Sequence, residues 1–172
     1  MTNGKDAARL LLDAATCRYI DSRRIGTSLV CLSFDDAATC TRGFAGLLQS
    51  LLSWSEDQEA YYMVLKPDPI WYFHKQFAKY PIVSIRQGDS TEVYLASLNE
   101  DPGGSPADAA GTNCYEWVIL PASHRWFVHC MRDAGDKGGH LWIPKAMLEQ
   151  TTAAFPWLAY PAEAEAEEFR MR

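Results

Sequence analysis

Apolar residues recur along this chain in two rhythms. A three- and four-residue rhythm runs through 5–20, where Ala8, Leu11, Leu12, Ala15 and Tyr19 share one helical face. It returns in 36–53, where Phe44, Leu47, Leu48, Leu51 and Leu52 form the clearest stripe in the sequence. Asp35 or Asp36 is placed to cap that second helix by accepting backbone N–H groups. Short runs rich in β-branched and aromatic residues predict strands at 27–34, 60–66, 82–86, 91–98, 114–120, 126–131 and 140–143. The pair 82–86 and 91–98 reads as a hairpin turned by Gln87-Gly88-Asp89-Ser90, with Val93, Leu95 and Ser97 on one face and Tyr94 and Ala96 on the other.

Two further helices complete the pattern. Asp68 followed by Pro69 is a helix start, and Ile70, Phe73, Phe77 and Tyr80 line one side of a short helix that Pro81 ends. Pro144 opens a last helix over 144–154, carrying Met147 and Leu148 and docked by residues 155–158. The stretch 99–113 has no apolar periodicity and is dense in Gly, Pro and Asp, so it predicts a long loop, mobile or functional. Together these elements predict an α+β domain: a mainly antiparallel sheet of five to seven strands with three or four helices packed on it. The boundaries are one domain over 1–161 and a flexible acidic tail over 162–172, a division that the 172-residue length accommodates.

Composition narrows the class. An apolar fraction of 48% with 22% charged residues is that of a globular domain. No apolar run reaches the ~18 residues of a membrane span, and the N-terminal stretch lacks the long apolar segment of a signal peptide. A cytoplasmic protein without a membrane partner is the expectation. The cysteines at 17, 31, 40, 114 and 130 have no metal-ligand or redox spacing and read as reduced thiols.

The net charge of −6 is unevenly spread. Acid concentrates at Glu56, Asp57 and Glu59, again at Glu100, Asp101, Asp108 and Glu116, and in the tail. Phosphate contacts require Lys and Arg, so nucleic acid is not an expected partner, whereas a basic protein surface is. Trp71 and Tyr72 lie off the predicted core face of their helix, and Trp117 borders a polar loop. Aromatics of this kind beside acids suit a recognition surface. The expected partner-binding set is therefore Glu56, Asp57, Glu59, Trp71, Tyr72, Glu100, Asp101 and Trp117.

Catalytic motifs do not emerge. His124, His129, Cys130 and His140 match no zinc spacing, and His129 and Cys130 face opposite ways on one strand. The Gly135–Gly139 run lacks the phosphate-loop pattern. No metal and no cofactor is expected. Small size, one domain, acidic balance and no catalytic motif give the chain as a whole the character of bacterial immunity proteins, and it resembles them in that sense. The resemblance implies a non-catalytic cytoplasmic inhibitor that neutralises a cognate toxin, such as a nuclease, through acidic loops. The alternative is a small enzyme with a loop-built site using His74, His124 or His129.

Overall fold

The computed structural model describes residues 9–11, 29–104, 106–132 and 138–159. Six strands form one antiparallel sheet: β1 Leu29–Phe34, β2 Glu59–Lys66, β3 Ile82–Arg86, β4 Glu116–Pro121, β5 Phe127–Met131 and β6 Gly139–Pro144. Their order across the sheet is β1-β6-β5-β4-β2-β3. Among the described residues the α-helices of seven residues or more are α1 Arg42–Ser55, α2 Thr91–Leu98 and α3 Leu148–Ala154. The expected α+β class is what the chain adopts. The predicted helix at 5–20 falls outside the described residues except at 9–11, which are helical, and the predicted tail at 162–172 lies outside them entirely.

The stripe read from the sequence becomes the main core. Phe44, Leu47, Leu48, Leu51 and Leu52 of α1 are fully buried, facing Leu32, Tyr62, Trp117, Ile119, Val128 and Leu141 on one side of the sheet. Burying each such side chain is worth about 1.5–3 kcal/mol, so this face dominates the stability of the fold. Thr41 starts α1 by accepting the Phe44 amide at 3.3 Å. Asp35 caps a preceding 3₁₀ turn, Asp36–Cys40, by accepting the Ala37 amide at 2.9 Å. The opposite face carries a smaller cluster of Met63, Ile82, Val118, Leu120 and Phe127, on which Leu11 packs.

One predicted strand is a helix. Residues 91–98 form α2, not the second arm of a hairpin. Ser90, assigned to a turn, is its N-cap and accepts the Val93 amide at 3.3 Å. Tyr94 and Leu98, one helical turn apart, are the buried pair that anchors it to the core. The Tyr94 hydroxyl donates to the Thr39 carbonyl at 2.7 Å, tying α2 to the start of α1.

Both sheet edges are partly occupied. The outward-facing β3 groups at Arg86 are taken: its amide donates to Asp89 at 2.7 Å, and its carbonyl accepts from Gln49 at 2.9 Å. On β1, Ser33 exchanges backbone hydrogen bonds with Ala159.

Candidate recognition surface

β2 runs between the two acidic clusters. At its start Ala60 pairs with Pro121, and at its end Lys66 pairs with Glu116. Its length separates the clusters by about 20 Å. The eight expected partner-binding residues are therefore divided between two ends of the sheet, and the ends differ in kind.

At the Pro121 end the acids serve the fold. Asp57 is 95% buried (5% exposed). It accepts the Ser123 amide at 3.1 Å, the Ser123 hydroxyl at 2.8 Å and the Ser55 hydroxyl at 2.6 Å. Ser55 in turn accepts the indole N–H of buried Trp126 at 3.0 Å. Asp57 is thus the centre of an internal network and presents no surface to a partner. Glu59 is half-buried, accepting from the Tyr61 hydroxyl and from Ser84 at 3.3 Å. Glu56 is exposed, but its backbone sits at φ 59 as the C-cap of α1.

The Lys66 end is built differently. Asp68 accepts the Ile70 and Trp71 amides at 2.8 and 2.7 Å. The turn that follows, Pro69–His74, is π-helical and continues as one α-turn over Lys75–Phe77. The wider turn shifts the phase of its side chains. Phe73 is fully buried as expected, but Ile70, placed on the core face by α-helical spacing, is 58% exposed. Beside it Trp71 is 68% exposed, with the Lys75 ammonium 4.8 Å from its ring centroid. Tyr115 is also exposed and is fixed to the base of this turn by its amide, which donates to the Lys66 carbonyl at 2.8 Å.

Described residues of the loop 99–113 pack against the same turn and against the core. Tyr72 donates to Asp108 at 2.7 Å, and this carboxylate, accepting the bond, raises the Tyr72 hydroxyl above its ordinary pKa. Gly103 lies against Phe77 so closely that an added Cβ would sit 2.5 Å from the ring, which is why glycine stands there. Ala109 and Ala110 are buried, and Tyr62 donates to the Ala110 carbonyl at 3.3 Å from within the core. Glu100 is exposed, and Asp101 accepts the Gly103 amide at 2.7 Å while remaining partly open. Tyr72 and Phe77 of the turn are therefore held against the loop that carries Glu100 and Asp101. Trp117 is not with them: it is 1% exposed, points into the main core and stacks on Tyr62 at 6.2 Å.

His74 and His124 sit apart from the others, whereas His129 and His140 are directly paired across β5 and β6. His74 is exposed and stacked on Tyr80 at 4.6 Å, and His124 is exposed in the β4–β5 turn at φ 57. His129 is 8% exposed on the smaller-core face. There its Nε2 lies 3.2 Å from Glu116 Oε1, and Lys66 Nζ lies 3.0 Å from Glu116 Oε2. Sequence reading grouped Glu116 with the surface acids, but it is fully buried between these two bases. Cys130 lies on the opposite face inside the core, and burial pushes its thiol well above the ordinary range, so it is no nucleophile there. Among the described residues no group of three or more His, Cys, Asp or Glu is arranged to hold a metal ion, and no helix is long and apolar enough to cross a membrane.

No family model matches the chain, and neither a curated protein nor a solved structure matches it.

Proposed function

We propose that this chain is a protein-binding module whose recognition face is the turn 69–77 together with the loop 99–113. The observation that carries the reading is the exposure of Trp71 and Ile70 on a backbone that Asp68 caps and Phe73 anchors. Large apolar side chains held rigidly outward lose little entropy on binding and are the usual centre of an interface. The loop packed against this turn carries Glu100, Asp101 and Asp108, and acid there fits a basic partner surface and would raise the encounter rate. The specific form proposed is an inhibitor of immunity-protein type, covering the basic, nucleic-acid-binding site of a toxin domain.

The product of the neighbouring gene, purified, is the partner to test first. Trp71→Ala should weaken the complex at least tenfold with the melting temperature unchanged. Charge reversal at Glu100 and Asp101 should slow association and flatten its salt dependence, while Glu56→Lys at the far end should do neither. Equal affinity for all of these variants would sink the reading.

A second reading, a small enzyme using His129, is favoured by the His129–Glu116 contact. It requires substrate to reach a histidine that is 8% exposed. Glu116→Gln abolishing a measurable activity without unfolding the protein would support it over the first.

A further inference from the structure

We propose that Cys40 and Cys114 form a site of reversible oxidation, closing to a disulfide when the protein meets a peroxide. Cys40 ends the 3₁₀ turn before α1, and Cys114 lies just before β4. Their sulfurs converge on one atom: Cys40 Sγ is 4.0 Å and Cys114 Sγ is 3.6 Å from the carbonyl oxygen of Gly111. The two thiols are otherwise unalike. Cys40 is exposed, whereas Cys114 is 1% exposed. Arg132 Nη2 lies 3.5 Å from Cys114 Sγ, placing a positive charge on the buried sulfur.

This asymmetry assigns the roles. A peroxide reaches Cys40 first and oxidises its thiol to a sulfenic acid, the peroxide O–O bond breaking and water or an alcohol leaving. The Cys114 sulfur then attacks the Cys40 sulfur. An S–S bond forms, the S–O bond breaks, and the hydroxide leaves as water with the Cys114 proton. Burial holds the Cys114 thiol above its ordinary pKa, and the Arg132 charge works against that, stabilising the thiolate that attacks. Closure to an S–S length of about 2.05 Å requires Cys40 to move inward from its exposed position. Cys130, fully buried beneath the pair, stays reduced. The bond would pin the base of the loop 99–113 to the segment that starts α1. This site does not depend on the recognition reading, since it uses other residues and another readout.

The test is peptide mapping after treatment of the folded protein with hydrogen peroxide, free thiols being blocked with maleimide under denaturing conditions. The expected result is one new peptide pair, containing Cys40 and Cys114 and lighter by two hydrogens, that dithiothreitol dissolves. Cys40→Ser, a change at an exposed position, should abolish the pair and leave Cys114 fully blockable. Cys114→Ser, checked for folding by circular dichroism, should drive Cys40 several-fold further to sulfinic acid. Recovery of wild-type Cys40 as sulfinic or sulfonic acid beside a reduced Cys114 would overturn the proposal, and so would a bond joining either residue to a different cysteine or to a second copy.

Discussion

The two ends of β2 carry similar amounts of acid and use it in opposite ways. At the Pro121 end Asp57 is surrounded by donors from α1 and from the β4–β5 turn, so its charge is consumed inside the fold. At the Lys66 end Glu100 is exposed and Asp101 partly so, on the loop that packs against the turn bearing the exposed Trp71. Local charge density in a sequence therefore does not distinguish a carboxylate that holds a structure together from one left at the surface. The distinction lies in what the fold brings from elsewhere in the chain, here Ser123 to Asp57.

The strongest way to break this contrast is to remove the internal acid. Asp57→Ala would leave the Ser123 amide and hydroxyl, and the Ser55 hydroxyl, without their charged acceptor. Hydrogen bonds to a charged group are worth more than neutral ones, and orphaned donors keep their desolvation cost. The expected loss is about 3 kcal/mol of unfolding free energy, read from urea denaturation. Glu56→Ala, one position away and exposed, should stay within about 0.5 kcal/mol. A comparable loss at Glu56, or none at Asp57, would erase the difference between the two ends.

Much of the scaffold was legible because its signals are local. The α1 stripe, the Asp68-Pro69 helix start and the alternating strands each depend on neighbours a few residues apart, and each is present in the fold. Residues 91–98 were misread because Val93, Leu95 and Ser97 alternate like a strand, while Ser90 and the spacing of Tyr94 and Leu98 carried the helix signal. The cap at Ser90 follows a turn, where a hydroxyl serves equally well in either structure. Ile70 was misplaced for a different reason, since a π-helical turn has its own phase and no sequence rhythm announces it. At the candidate surface, Trp71 and Tyr72 could be read as lying off the core face. The burial of Trp117 and Asp57 could not, because it depends on strand register and on contacts with residues far along the chain.

A second pairing tests the same lesson on Glu116, an acid that sequence reading placed with the open cluster and the fold buries. Lys66→Met removes one of its basic neighbours while Glu116 stays fully buried. Lys66 is itself half exposed, so its contribution is screened, and the expected cost is about 1–2 kcal/mol, below that of breaking a fully buried pair. Adding Glu116→Gln in the same chain removes the charge that was left behind. The double variant should recover part of the loss, because the penalty is a buried carboxylate that has lost an opposite charge and not the missing ammonium itself. A double variant less stable than Lys66→Met would show that Glu116 owes its place to other bonds than the ion pair.

The smallest expected effect concerns Asp36, which is partly buried like the internal acids but poorly compensated. Its nearest described cation is Arg132, with Nε 4.0 Å from the carboxylate. Burial, aided by the neighbouring charge of Asp35, raises the Asp36 pKa above its ordinary 3.8, against the opposing pull of Arg132 and of its own backbone. A raised carboxyl is held more tightly by the folded chain, so its contribution is fully present below the unfolded pKa and is lost as the pH climbs through the folded one. At pH 7 the ionised group is therefore a net cost. Asp36→Asn should stabilise the protein at neutral pH by a few tenths of a kcal/mol, about the size of an ordinary surface change. The gain should disappear near pH 3, where both forms are neutral at this position. Urea midpoints at the two pH values measure it. A loss at pH 7 would mean that Arg132 outweighs burial, and Asp36 would then join Asp57 among the acids that hold the fold together.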